Sequence, residues 1–450
     1  MALKYFGTDG FRGKANDTLR VEHALKIGQY LGYYYRKKHG RKAKCVIGKD
    51  TRRSSYMFEY GLSAGITSAG SDAYLMHVTT TPSVSYITKA DKFDFGIMIT
   101  ASHNPYQDNG IKIFDRHGEK MDEAVLEEIE QYIDGELEIP ISEEVGVCKD
   151  YFSGRNKYIG YLASISKESF RGYRIALDCA NGASSMIAKN VFEMLGADLE
   201  TIGCSPNGEN INVDSGSTHI ENLKKLVVEK ECDIGFAFDG DADRCIMVNE
   251  KGNVVDGDGI MYIIASWLKQ HNVLLKDKIA VTVMSNLGLL NALSKEAIDV
   301  TITDVGDKYI AKALSEEGLS IGGEQSGHII VSKYENTGDG VLTAILVSEI
   351  MAARKCPASS MTTGLSILPQ KLKNLEAQDK KALMEDAGIQ AYIKETNESL
   401  KGQGRLLLRA SGTEPLIRVM AEAGTIKQCD EIIENACEEI RKLREANSRA

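Results

Sequence analysis

The chain has 450 residues, of which 43% are hydrophobic and 26% charged, and its formal net charge is −10. That length exceeds one ordinary core and predicts three or four domains. The negative charge argues against nucleic-acid binding but permits an anionic substrate in a locally basic cleft. Nine scattered cysteines, with no Cys-x-x-Cys pair and no zinc-spaced Cys/His cluster, argue against a disulfide framework and predict reduced thiols in the cytoplasm. The N-terminal segment lacks a signal-peptide apolar core, and the longest apolar runs, such as 259–268, are too short to span a bilayer, so no membrane partner is expected.

Near the start, the glycine-rich turn from Phe6 to Gly13 carries Arg12, a weak signal alone. A strand from Cys45 into a turn at Asp50, a helix from Met57 to Ala69 and a strand from Asp72 to Val78 follow. The same order recurs as Arg174–Asp178, Ala183–Leu195 and Asp198–Ile202, then as Ile279–Met284, Gly288–Ala297 and Val300–Thr303. Helices between apolar strands imply α/β layers. After each copy comes a further apolar strand, Phe95–Ile99, Asp233–Phe238 and Ser320–Gly322, running into a polar loop. Ligands of α/β sheets gather beyond the carboxyl ends of strands, so these loops are expected to converge on one cleft. The chain after a boundary near 360–370 lacks the pattern. A helix over Lys380–Lys401, strands Arg405–Arg409 and Leu416–Ala421 and a last helix Lys427–Glu445 predict a smaller α+β domain. The expected domains are 1–150, 151–254, 255–365 and 366–450.

The first loop, Thr100 to Pro105, offers Ser102 beside His103, with Lys112 ten residues on. A cap or loop serine is the ordinary reading, and no Gly-x-Ser-x-Gly elbow supports acyl transfer, so an exposed hydroxyl that carries phosphate is preferred. The second loop places Asp239, Asp241 and Asp243 before Arg244. On one side of an extended segment, each pair of carboxylates repels by about 3 kcal/mol at ~5 Å and an effective dielectric of ~20, which a divalent cation relieves. A calcium hand is disfavoured because Arg244 stands where glycine is needed and a strand precedes the loop. The third loop, Gly323 to His328, presents Glu324 and Ser326 to sugar hydroxyls, with His328 either a satisfied core residue or a proton carrier. Finally Arg409, Ser411, Gly412, Thr413 and Arg418 form a turn able to cradle phosphate.

These five segments, in this order, resemble the α-D-phosphohexomutases over nearly the whole chain. The resemblance implies three tandem related α/β domains plus a smaller C-terminal α+β domain around a central active-site cleft. It makes Ser102 the phosphorylated serine and has Asp239, Asp241 and Asp243 hold one Mg²⁺ together with its phosphate. Glu324 and Ser326 would read sugar hydroxyls; Arg409, Ser411, Gly412, Thr413 and Arg418 would hold the non-reacting phosphate. Arg12, His103, Lys112, Arg244 and His328 would orient charge or move protons, with the base left open. Gln325 and the run Val305 to Tyr309 are similar to the branch that converts glucosamine 6-phosphate to glucosamine 1-phosphate, feeding amino-sugar and cell-wall precursors. Relatives acting on mannose or glucose phosphates, and a noncatalytic sugar-phosphate or metal binder, are the alternatives. Glucosamine or glucose 1,6-bisphosphate is the implied intermediate or activator, and a homodimer is compatible with the chain. Ser54-Ser55, Ala410, Lys371 and Lys373 depart from the family's usual pattern.

Overall fold

The computed structural model describes residues 3–377, 379–410 and 416–447. Two compact units emerge, residues 1–284 with 298–363, and 285–297 with 364–450.

The first unit contains three sheets built on one plan. Lys44–Lys49 lies parallel to Asp72–Val78 on one side and to Phe95–Ile99 on the other. Asp108–Asp115 then returns antiparallel to Phe95–Ile99. Arg174–Asp178 has the same relation to Asp198–Ile202 and Ile234–Phe238, with Cys245–Asn249 returning. Lys278–Thr282 repeats it with Asp299–Thr303, Ile321–Gly323 and the returning Ile329–Val331. Each polar loop therefore occupies one topological position, between the third parallel strand and its antiparallel return. The first sheet is extended to seven strands by Phe6–Gly7 and Gly10–Lys14 at one edge and Cys148–Asp150 at the other. Phe95–Ile99 and Ile234–Phe238 are buried along their whole length, as strands covered on both faces must be. The Tyr33–Tyr35 run belongs to helix Val21–His39, where Tyr35 is buried and stacks on Phe95 with ring centroids 5.0 Å apart. No helix among the described residues is long and apolar enough to cross a membrane.

Two helices differ from expectation at identifiable breaks. The segment expected over Ala183–Leu195 is a 3₁₀ turn, Ala183–Met186, and a separate helix, Ala188–Met194, divided where Ile187 departs from helical geometry. The helix expected over Lys380–Lys401 divides into Lys380–Glu385 and Ala387–Leu400. Asp386 takes an extended conformation between them and caps the second by accepting a hydrogen bond from Ile389 N at 2.9 Å.

In the second unit, Gln370–Glu376 and Arg405–Ala410 pair antiparallel with the central strand Leu416–Glu422. The first of these strands has no simple apolar alternation. Lys371 and Lys373 instead pair with Asp430 and Glu434 of helix Ile426–Asn447, matching an i, i+2 spacing on the strand to an i, i+4 spacing on the helix. Helix Leu287–Lys295 belongs to this unit. Leu287 N donates to Glu422 Oε2 at 3.0 Å, and Asn286 exchanges hydrogen bonds with the Leu368 backbone. Glu422, fully buried, is neutralised by Arg405 at 2.8 Å.

Candidate active site

Ser102 opens the turn after Phe95–Ile99 with a left-handed backbone, φ 52°. Its hydroxyl was expected to be exposed, but the residue is only 1% accessible. Ser102 Oγ donates to Asp239 Oδ2 at 2.5 Å and lies 3.2 Å from His103 Nδ1. The unusual backbone is held from below by a residue whose role the sequence reading missed. Arg52, with no accessible surface, donates from Nη2 to the carbonyls of Ser102 (2.8 Å) and Asn104 (2.9 Å), and from Nη1 to that of Pro105 (2.5 Å). Asp50 Oδ2 accepts from Arg52 Nε at 2.8 Å, and Ser55 Oγ donates to Asp50 Oδ1 at 2.8 Å. Asn212 Nδ2, from the loop that follows Asp198–Ile202, reaches the Ser102 and Asn104 carbonyls at 2.9 and 3.1 Å.

The three aspartates converge by turning, not by lying along an extended segment as expected. Asp239 follows the strand end, Ala242 N donates back to Asp239 O at 3.0 Å, and Ala242 is left-handed with φ 59°. Their ligand oxygens lie within 4.8 Å of one another and all three residues are buried. Lys112, from the return strand of the first sheet, bonds Asp241 Oδ2 at 2.9 Å and Asp243 Oδ2 at 3.0 Å. Thr81 Oγ1 also donates to Asp241 Oδ2. Asp241 Oδ1 and Asp243 Oδ1 are buried with no hydrogen-bond partner. Orphaned carboxylate oxygens in a compact oxygen-only set fit a hard divalent cation.

Burial and neighbouring charges shift the groups of the cluster in different directions. Burial, and then the charges of Asp243 and Asp241, push the Asp239 carboxyl well above its ordinary range. Burial also opposes ionisation of Asp243, but Lys112, His328 and Arg244 hold it well below that range. Burial works against the Lys112 ammonium, which Asp241, Asp243 and Asp9 nonetheless stabilise. Burial, Arg244 and Arg12 lower His103 to about 4, so that its ring is neutral at pH 7. Arg12, on Gly10–Lys14, pairs with Asp9. Burial lowers and Asp243 raises the pKa of His328, to about 9. Gly338 N donates to His328 Nε2 at 3.2 Å, which requires a lone pair there and favours the neutral Nδ1–H tautomer; a cation on Asp243 would release the opposing pull.

The third loop joins the second through backbone. Arg244 and His328 form an isolated antiparallel bridge, and Cys245 N donates to Gly327 O at 3.0 Å. Glu324 Oε1 accepts from Gly306 N at 2.9 Å, tying the sugar-reading candidate to the Val305–Tyr309 run. Ser326 is exposed, 3.4 Å from Glu324 Oε2. A cavity beside the trio is lined by Asp9, Thr81, Lys112, Lys120, Asp243 and Asp307. The structure thus brings together Ser102, His103, Lys112, the three aspartates, Arg244 and His328.

Arg409 and Arg418 lie in the second unit, directly opposite one another on paired strands. Ser411, Gly412 and Thr413 lie outside the described residues.

Four successive segments match the models of phosphoglucomutase/phosphomannomutase: α/β/α domain I over residues 3–139, domain II over 151–252, domain III over 256–366 and the C-terminal domain over 372–439. These define the class as the α-D-phosphohexomutases. The phosphoglucosamine mutase of Lachnospira eligens is 53% identical over 97% of this chain and 98% of its own length, and that of Bacillus subtilis 47% identical over 97% and 98%. The chain belongs to the phosphoglucosamine mutase family. Its fold is also that of a phosphoglucomutase/phosphomannomutase family protein from Burkholderia thailandensis (TM-score 0.82, 22% identity, 98% of each chain). A similar fold is found in Aspergillus fumigatus N-acetylphosphoglucosamine mutase, solved with GlcNAc-6P and magnesium (TM-score 0.71, 18% identity, 98% of this chain and 96% of that one).

Proposed function

We propose that the protein interconverts glucosamine 6-phosphate and glucosamine 1-phosphate, with Ser102 carrying the transferred phosphoryl group. The observation that carries this reading is Ser102 Oγ, buried and 2.5 Å from Asp239 in a carboxylate trio with orphaned oxygens. Phospho-Ser102 gives its phosphoryl group to the free sugar hydroxyl: the bond to Oγ breaks, the new P–O bond forms, and the hydroxyl proton leaves to a neighbouring base. The resulting 1,6-bisphosphate reorients and returns its other phosphoryl group to Ser102 Oγ.

Asp239, Asp241 and Asp243 are the proposed ligands of Mg²⁺, which when bound neutralises phosphoryl oxygens during transfer. Arg52 and Asn212 fix the serine carbonyl, so Oγ is positioned before substrate arrives. Lys112, Arg244 and Arg12 supply positive charge in an acidic protein. Glu324 and Ser326 are assigned to sugar hydroxyls, and Arg409 and Arg418 to the non-reacting phosphate. Near-complete burial of Ser102 supports protection of the phosphoserine from water. Nine free cysteines support a cytoplasmic setting.

Turnover of glucosamine, glucose and mannose 6-phosphates by parent and Ser102→Ala tests the assignment. Glucosamine 6-phosphate is expected to be the best substrate of the parent, and the variant is expected to be inactive. Equal turnover by the variant rejects Ser102 as carrier, and faster turnover of mannose or glucose phosphate reassigns the substrate.

A further inference from the structure

We infer that Thr81 is a positioning residue of the metal site, whose hydroxyl decides which oxygen of Asp241 meets the cation and biases the trio toward Mg²⁺ over Ca²⁺. The inference rests on the reading of Asp239, Asp241 and Asp243 as metal ligands, and its test separates the two.

Thr81 comes from a part of the first sheet to which the sequence assigns no chemistry. The Ser102 loop follows the third strand of the repeated plan, Phe95–Ile99, whereas Thr81 follows the second, Asp72–Val78, and opens the helix Thr81–Ala90. Its placement is fixed locally. Thr79 N donates to Lys49 O at 3.0 Å, continuing the ladder between the two strands. Thr80 is the N-cap, its Oγ1 accepting from Ser83 N at 3.3 Å, and Pro82 stands in the first turn, where its missing N–H costs nothing.

This helix start grips Asp241 twice. Thr81 N, one of the donors that a helix leaves without an intrahelical acceptor, donates to Asp241 O at 3.0 Å. Thr81 Oγ1 donates to Asp241 Oδ2 at 2.5 Å. Backbone and carboxylate of one aspartate are thus held by one residue, at the positive end of a helix. Thr81 is buried and Asp241 has no accessible surface, so bulk water does not compete for either bond.

The consequence is an unequal carboxylate. Asp241 Oδ2 receives both Thr81 Oγ1 and Lys112 Nζ, the latter at 2.9 Å, whereas Oδ1 is buried with no hydrogen-bond partner. Asp243 shows the same division, with Lys112 on Oδ2 at 3.0 Å and Oδ1 unpartnered. With two donors on Oδ2, Asp241 offers a cation Oδ1 alone. One fixed oxygen suits Mg²⁺, which demands near-octahedral geometry and short bonds, whereas Ca²⁺ takes more oxygens at longer range and accepts both oxygens of one carboxylate. Without the Thr81 hydroxyl, Oδ2 keeps only Lys112, and the carboxylate is freer to turn and offer both.

The test strips divalent ions from the full chain and titrates parent, Thr81→Val, Thr81→Ser and Asp241→Asn with Mg²⁺, and separately with Ca²⁺, by calorimetry. Thr81→Val is expected to bind Mg²⁺ about tenfold or more weakly, the usual cost of removing a group that orients a metal ligand, and to lose less Ca²⁺ affinity, so that the preference for Mg²⁺ falls. Thr81→Ser keeps the hydroxyl and should restore most of the Mg²⁺ affinity and the preference, although it is valine that keeps the bulk. Thr81→Ala removes the hydroxyl without adding a methyl group and should show the same loss, so the comparison stands if valine packs poorly. Parental Mg²⁺ affinity in Thr81→Val and Thr81→Ala beside weakened binding in Asp241→Asn overturns the role of Thr81 alone. Thr81→Ser binding as weakly as Thr81→Val assigns the effect to packing and also overturns it, and equal losses of both ions overturn the selectivity. Parental affinity in Asp241→Asn, or no Mg²⁺ binding by the parent, overturns the reading of the trio and the inference with it.

Discussion

Replacing Arg52 by lysine isolates the contribution of the serine loop's support without removing positive charge. The guanidinium holds the Ser102, Asn104 and Pro105 carbonyls and Asp50 at once. One ammonium at the end of a flexible stem cannot reproduce that planar fork. If two of the charged hydrogen bonds are lost at about 1.5 kcal/mol each, the cost is about 3 kcal/mol. The Asp50 carboxylate, also without accessible surface, would keep a cation nearby, so the larger penalty of an unpaired buried charge is avoided. Relaxation of the left-handed Ser102 backbone by ~1 Å would lower turnover by about a hundredfold. Urea denaturation midpoints and steady-state turnover of the purified variant measure both effects. Parental stability and parental turnover in Arg52→Lys would refute the reasoning that this buried guanidinium sets the position of Ser102.

Three further outcomes follow from the same geometry. A Cβ at Gly240 would lie 2.5 Å from Ser102 O, so Gly240→Ala is expected to cost about 1–3 kcal/mol in denaturation and to reduce turnover by separating the two loops; an unchanged variant would show that this close approach is unnecessary. Asp241→Asn should weaken Mg²⁺ binding by about tenfold or more in titration calorimetry, since it removes one negative charge from the trio, and unaltered affinity would exclude Asp241 as a ligand. Burial raises Asp339 from 3.8 to about 6; folding therefore takes up a proton between those values, and stability falls as pH rises through that window, by about 3 kcal/mol. Asp339→Asn keeps the cap on Leu342 N but does not titrate, so the difference in urea midpoint between parent and variant should change across pH 4 to about 7, and parallel profiles would contradict the assignment.

Much of the candidate site was legible because it is local in sequence. Ser102 with His103, the alternating aspartates and the Gly323–His328 run each declare their type within a few residues, and the strand preceding each loop could be read from its apolar run. Lys112 was noticed as a cation near the serine, but its bonds to Asp241 and Asp243 span two sheets and leave no local pattern. Arg52 and Asn212 are equally remote from the carbonyls they hold. The turn that gathers the aspartates depends on the left-handed Ala242, a conformation that alanine does not advertise. The break before Ala387 had a legible signal in Asp386, a good N-cap residue inside an otherwise helical run. Strand Gln370–Glu376 was obscured because its lysines are satisfied by acidic residues about sixty positions later.

Intact-mass measurement of the full chain before and after incubation with glucosamine 1,6-bisphosphate addresses the central claim most directly. The parent should gain the mass of one phosphoryl group, located on Ser102 by fragmentation, and lose it to added glucosamine 6-phosphate. A phosphoryl group on another residue, or an unmodified enzyme that still interconverts the two sugar phosphates, would contradict the account.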